Sequence, residues 1–112
     1  MDIDKFLELA KNLEKKKKGK KEDLETFQKF FERFHVLNRA YLDKETFEKA
    51  RESVSSMAEA IANTLRYLES EITRLRNKRM KLPVENVELG EMQKLQNRNE
   101  ILVKDYLAGA KE

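Results

Sequence analysis

An apolar stripe through the middle of the chain constrains the fold more than any other feature. Apolar residues recur there at steps of three and four, at Phe47, Ala50, Val54, Met57, Ile61, Leu65, Leu68, Ile72 and Leu75. That period follows one face of an α-helix, whereas a half-buried strand alternates at every second residue. The spacing predicts one long helix over residues 44–81, about 37 residues and roughly 55 Å in length.

Shorter stripes predict three further helices. One is expected over 2–15 and a second over 22–38, where four of the six phenylalanines lie. The last is expected over 88–108, on the positions Met92, Leu95, Asn99, Leu102 and Tyr106. No segment alternates as a strand does. The predicted fold class is therefore all-α, an elongated helical bundle of about four helices built on one long central helix.

Two residues mark the expected ends of the long helix. Asp43 precedes it and has a side chain of the kind that caps helix starts. Pro83 pushes Leu82 out of helical geometry and is expected to end the helix, with a short connector over 84–90. A chain of 112 residues has the usual size for one hydrophobic core, so a single domain is expected over 1–112.

The basic charge of the chain is concentrated in one segment. The formal net charge is +3, and six positive charges come from Lys15, Lys16, Lys17, Lys18, Lys20 and Lys21. The remainder therefore has a net charge of three minus six, or −3. Like charges repel one another and solvate well, so the Lys-rich segment 15–21 is expected to be a mobile loop.

A second cationic group lies at the end of the predicted long helix and contains no acid. Its members are Arg74, Arg76, Lys78, Arg79 and Lys81. One interpretation is structural, because cations at a helix C-terminus complement the helix dipole. The other is an anion-binding site, since arginine pairs with carboxylate and phosphate groups through two hydrogen bonds. Together with Lys15, Lys16, Lys17 and Lys18, this group would also suit nucleic-acid phosphates.

The residues that enzymes and metal sites need are scarce in this chain. There is no cysteine, the three glycines do not form a phosphate loop, and His35 is the single histidine. Glu32 and His35 have the spacing found in carboxylate di-iron bundles, but the chain holds no second copy. We therefore expect no enzyme activity, no metal, no cofactor and no small-molecule substrate, and we interpret His35 as a surface or boundary residue.

The long helix exceeds the helices that could cover it, so its stripe is expected to bind another chain. The predicted partner-binding residues are Val54, Met57, Ile61, Leu65, Leu68, Ile72, Leu75 and Asn99. A homo- or hetero-oligomer follows from this expectation. Asn99 has two interpretations, either as a buried amide that fixes pairing register or as a residue at the edge of the last stripe.

These observations favour a scaffold or adaptor subunit that mediates protein–protein assembly. One alternative is a nucleic-acid-binding protein that uses segments 15–21 and 74–81, and another is a small helical chaperone with an exposed apolar stripe. No apolar run spans a bilayer and Met1–Asp4 lacks a signal-peptide pattern, so a cytoplasmic protein is expected. Abundant Lys and Glu without cysteine favours a thermophilic source.

Two stretches resemble a known family. The start MDIDKFLEL and the ending LRYLESEITRLRNKRMKL of the predicted long helix resemble the α-helical domain of archaeal GINS subunits, which are replication-fork assembly factors. A turn and a shorter final helix continue the resemblance. It implies hetero-oligomeric packing through long helices and a bridging role between helicase and polymerase-side proteins, with no catalytic residues. Members of that family normally also carry a small β domain, whereas no segment of this sequence has the pattern of a strand.

Overall fold

A computed structural model describes residues 3–15 and 21–110, with side chains over 3–12 and 24–108. Its helices are α1 (Ile3–Lys15), α2 (Lys21–Leu37), α3 (Lys44–Ala50), α4 (Val54–Asn77) and α5 (Pro83–Ala110). The all-α prediction is confirmed for these ranges, which contain no strand. The single long central helix is not found. Most of the predicted mobile loop, from residue 16 to residue 20, lies outside the described residues.

The chain divides into two compact units, one ending at Thr64 and the other beginning at Leu65. The first contains α1, α2, α3 and the first half of α4, and the second contains the rest of α4 and α5. Each unit is described by itself below. The expectation of one domain over 1–112 stays a prediction.

Phenylalanines hold the first unit together. The Phe6 ring on α1 lies 6.2 Å from that of Phe27 and 6.1 Å from that of Phe30, centroid to centroid, and Phe27 and Phe30 meet edge to face at 5.6 Å. On the next turn of α2, Phe31 lies 4.9 Å from Phe47 of α3. Edge-to-face and offset pairs stabilise a core beyond the area that they bury. Both α1 and α3 therefore pack against the phenylalanine-rich face of α2.

Polar side chains set the bounds of α2 and α3. Asn38 is fully buried and its Nδ2 donates to the Phe34 carbonyl oxygen at 2.8 Å, which satisfies an acceptor at the end of α2. Asp43 accepts a 2.8 Å hydrogen bond from the Thr46 N–H and has extended backbone geometry. The prediction that Asp43 caps a helix is confirmed, and hydrogen bonding from the Thr46 side chain, followed by that from the Thr46 N–H, lowers the pKa of the Asp43 carboxyl.

The predicted helix over 44–81 is wrong at its start, because the chain breaks after α3. Ser53 supplies the physical reason, since its Oγ accepts from the Ser56 N–H at 3.1 Å and its carbonyl accepts from the Met57 N–H at 3.1 Å. These are the bonds of an N-cap residue, for which serine is preferred. Ser53 therefore begins a new helix at Val54, although the apolar spacing runs through the break without a fault.

The same prediction is wrong at its end, because α4 stops at Asn77. Leu75 is the last buried member of its stripe, and Met80 beyond it is 87% exposed. A helix continued through this segment would bury nothing, and tertiary packing supplies most helix stability in proteins.

Pro83 is a start signal here rather than a stop. It occupies the first position of α5, where its missing N–H has no partner to lose and its fixed φ suits the helix. Glu85 Oε1 accepts from the Leu82 N–H at 3.0 Å, which is one half of a capping box. The expected helix over 88–108 therefore begins five residues early, and the expected connector over 84–90 is helical.

Removing the cap at Ser53 tests the helix break. Ser53→Ala deletes the acceptor for the Ser56 N–H and is expected to lower the free energy of unfolding by about 1 kcal/mol. Chemical denaturation measures the loss. Ser70→Ala, at an exposed position inside α4, is the matched control and should be neutral or slightly stabilising. Equal effects of the two substitutions would contradict a capping role.

Gly90 offers a second test, because it lies inside α5 rather than at the end of the connector expected over 84–90. A Cβ built there meets no atom within 4 Å, and its φ is not positive. Gly90→Ala is expected to raise the free energy of unfolding by roughly 0.5–1 kcal/mol, because alanine loses less backbone entropy in a helix. Thermal melting at low protein concentration measures this change in stability. A lower melting temperature for Gly90→Ala would show that the backbone at this position needs glycine.

Candidate functional site

The predicted partner-binding stripe of α4 is buried by the chain itself. The exposed fractions are 8% for Val54, 9% for Ile72 and 0% for Met57, Ile61, Leu65, Leu68 and Leu75. The stripe is therefore covered within the chain, and its predicted contact with another chain stays a prediction. Uncovering seven such side chains costs on the order of 10 kcal/mol or more, as much as many domains have in total. The chaperone alternative loses its motivating observation for the same reason.

Asn99 is fully buried, and it makes an interaction within the chain. Of its two interpretations, the buried position is the one that the structure shows, on the same face of α5 as the buried Met92 and Val103. Because Asn99 is buried in the chain alone, its amide takes part in the folding of α5 whether or not a partner binds. Its direct contact with another chain stays a prediction.

Exposed apolar surface lies instead around the segment that joins α4 to α5. Met80 is 87% exposed and Leu82 is 62% exposed, and neither belongs to a helix. Single exposed apolar residues are common on proteins, whereas neighbouring ones mark interaction sites. We call Arg76, Arg79, Met80, Lys81 and Leu82 the connector surface.

Only part of the predicted cationic group is engaged with acids of the chain. Arg74 donates hydrogen bonds to Glu71, with 2.7 Å between Nη2 and Oε2, and these bonds to the carboxylate raise the pKa of Arg74. Lys78 is paired with Glu85 of α5. These two cations are thus bound by acids of the chain itself. The other members, Arg76, Arg79 and Lys81, form no ion pair with any described residue.

Glu85 binds both ends of the segment that carries the connector surface. One carboxylate oxygen binds the Lys78 ammonium before the segment, and the other accepts from the Leu82 N–H at its end. Both contacts favour the ionised form, the first more than the second, so they lower the pKa of Glu85. The carboxylate thus binds both ends of the segment, and between them Arg79 and Met80 are exposed while Lys81 is half-buried.

The first cationic segment falls outside what the structure describes. Lys16, Lys17 and Lys18 lie in the undescribed range, and the side chain of Lys15 is not described either. Their predicted contact with nucleic acid stays a prediction.

The Glu32 and His35 pair serves a packing role. Glu32 Oε1 binds Arg51 Nη2 at 3.2 Å, and the His35 ring stacks on Phe47 with 4.2 Å between centroids. The Arg51 guanidinium lies 5.5 Å from the centre of the same Phe47 ring. His35 is half-buried, so its interpretation as a boundary residue is confirmed. No group of three or more metal-binding side chains occurs among the described residues.

Sequence reasoning missed Met80 because it placed that residue inside the helix over 44–81, and it missed Leu82 because it interpreted that residue only as the end of the helix. A signal was present, since the two residues alternate with Arg79 and Lys81 in a run that neither the α4 nor the α5 stripe includes. Apolar residues interleaved with cations outside a helical period suit a surface that contacts both apolar and anionic groups.

Comparison with protein-family models, with curated proteins and with solved structures gives no match for this chain. Separately, none of the helices in the described ranges is both long and apolar enough to cross a bilayer.

The Glu85 contacts predict a dependence of stability on pH. A carboxyl whose folded pKa is lowered from 4.5 contributes stability above that value and loses it as pH falls through the lowered pKa. Glu85→Gln is therefore expected to lower the melting temperature at neutral pH. It should also flatten the fall of melting temperature between about pH 5 and about pH 3.

Glu88→Gln, at an exposed position one turn along α5, is the matched control for this measurement. The melting temperatures of the two variants should differ at neutral pH and become equal in acid. Parallel curves for Glu85→Gln and the wild-type chain would contradict the contribution of this carboxylate.

Proposed function

We propose that this protein is a non-enzymatic helical scaffold subunit that binds an acidic partner protein through the connector surface. The observation that carries the proposal is the exposure of Met80 and Leu82 between cations that have no acid of their own. Exposed apolar side chains gain by losing contact with water, and each arginine can bind a carboxylate through two hydrogen bonds.

The structure of the segment supports a partner that docks on it. Glu85 anchors both ends, so less conformational entropy is lost when a partner binds than on a free loop. Charges around the rim raise the rate of encounter with an acidic surface, and the apolar residues at the centre provide the lasting contact. A patch of this size suits a short segment of the partner rather than a whole domain face.

Nucleic acid fits the same surface less well. Phosphates would bind Arg76 and Arg79, but Met80 and Leu82 would remain in water or lie against a charged backbone. A surface for single strands also needs aromatic side chains for base stacking, and the connector surface has none. The apolar residues therefore favour a protein partner.

The resemblance to the GINS helical domain adds a process to this proposal, a bridging role within a DNA replication assembly. That resemblance concerns α1, the end of α4 and the connector segment. The proposal itself identifies the partner by its chemistry, an acidic segment with apolar residues.

Binding of defined probes tests the proposal. The first probe is a fluorescent amphipathic peptide of leucine and glutamate, and the second is a single-stranded oligonucleotide of equal charge. We expect the peptide to bind more tightly at low salt, and expect both Met80→Ser and Arg79→Glu to weaken it about tenfold, measured by fluorescence anisotropy. Oligonucleotide binding should respond to Arg79→Glu alone.

Lys29→Glu, at an exposed position on α2, is the matched control for the charge change and should leave peptide binding unchanged. No peptide binding at low salt would contradict the proposal. Tighter binding of the oligonucleotide, with no response to Met80→Ser, would favour the nucleic-acid alternative instead.

A further inference from the structure

The outward face of α5 repeats at steps of three and four, as its buried face does. Its members are all exposed, and they are Val84, Val87, Glu91, Lys94, Arg98, Ile101, Asp105 and Ala108. Val84, Val87 and Ile101 are 67%, 65% and 61% exposed. A helix that faces only solvent on one side has no need of three large aliphatic residues on that side. The spacing is that of a helix that pairs with another helix, and four of the eight positions here are charged.

Charge divides this face into two halves. Between Val84 and Ile101, the first half carries the acid Glu91 and the second half carries the bases Lys94 and Arg98, and the acid Asp105 follows Ile101. None of the ion pairs in the described part of the chain includes these four residues. Apolar residues lie at the far end of each half. The sequence of the face therefore reads apolar, acidic, basic, apolar.

Such an order is complementary to itself when reversed. About a midpoint between Met92 and Gln93, Val84 and Ile101 lie at equal distances on opposite sides, and so do Glu91 and Lys94. In an antiparallel pair of identical helices, residues at equal distances face each other. Val84 then meets Ile101, and Glu91 meets Lys94, each twice by symmetry.

We propose that the outward face of α5 binds α5 of a second copy of this chain, antiparallel and centred between Met92 and Gln93. Parallel pairing would set Glu91 against Glu91 and Lys94 against Lys94, and like charges in contact oppose association. The antiparallel pair replaces these repulsions with two attractions and packs Val84 against Ile101 in both copies. In the same register, Val87 lies opposite Arg98, whose aliphatic stem can cover it.

A dimer of this kind would hold two connector surfaces apart. Leu82 precedes the midpoint by about ten residues, so the two copies of it would be separated by roughly 30 Å along the helix axis. Two such surfaces at a fixed distance would bind a partner with two acidic segments more tightly than one surface does. This pairing stands on the exposed face of α5 and is independent of the function proposed for the connector surface.

Charge-reversed variants test the pairing. Glu91→Lys gives four bases at the centre of the dimer, and Lys94→Glu gives four acids. In sedimentation equilibrium of the full chain, we expect each variant alone to raise the dissociation constant about tenfold over the wild-type dimer. An equimolar mixture of the two should form a heterodimer near wild-type affinity, because each Lys then faces a Glu.

Mixing also separates the contact between chains from effects within one helix. Glu91 and Lys94 are neighbours on α5 as well, but a partner chain cannot repair a repulsion inside its own helix. Lys104→Glu, an exposed position away from the outward face, is the matched control and should leave the dissociation constant unchanged. A wild-type chain that is monomeric up to about 1 mM, or a mixture that stays dissociated, would overturn the proposal.

Single cysteines fix the orientation, because the chain has none of its own. Val84→Cys and Ile101→Cys, mixed and oxidised, should form a disulfide between the two variants, and neither should form one with itself. Positions 84 and 101 are about 25 Å apart along a helix, whereas a disulfide needs Cα atoms within about 7 Å. Crosslinking of each variant with itself would show parallel pairing and overturn the antiparallel arrangement.

Discussion

The helix break at Ser53 is the constraint on which the rest of the first unit depends. Without it, residues 44–77 would form one rod, and the apolar stripe would extend past everything able to cover it. The hydroxyl of Ser53 binds the Ser56 N–H and starts α4 separately. α3 is then free to follow α2, with Phe47 against Phe31 and His35. The cap at Ser53 and the packing of Phe47 thus act together to separate α3 from α4.

Because the apolar stripe of α4 is buried, the exposed apolar side chains lie in other parts of the chain. The buried side chains of α4 stabilise the fold. Exposing them to water would cost as much free energy as many domains have in total stability. The exposed apolar side chains in the second unit lie in two places. Met80 and Leu82 are in the connector surface, and Val84, Val87 and Ile101 are on α5. Both places combine apolar residues with charges that have no partner within the described chain. Recognition by this protein is therefore expected at its second unit.

The sequence predicted the elements whose signals are local. The period of three and four placed α1 and α2 within a residue or two, and Asp43 was identified as a cap because its chemistry is specific. It could not predict the break at Ser53, because a cap and an exposed helical serine look alike while the apolar spacing continues on both sides. Which one forms depends on the packing of Phe47, a contact between segments far apart in sequence.

The candidate surfaces were missed for a related reason. Pro83 can end one helix or begin the next, and the choice depends on Glu85 reaching back to the Leu82 N–H. Because Pro83 was interpreted as a stop, Met80 was assigned to a helix and Val87 to a loop. Burial of Asn99 was within reach of the spacing alone, since that residue lies on the stripe.

Hydrogen–deuterium exchange on the dilute chain tests the central claim most directly, that α4 is covered by its own chain. The account predicts strong protection of amides over 57–75 at a concentration where no dimer forms, with fast exchange at residues 51–53. Protection over 57–75 that appears only as concentration rises, or that runs unbroken from residue 44, would contradict it.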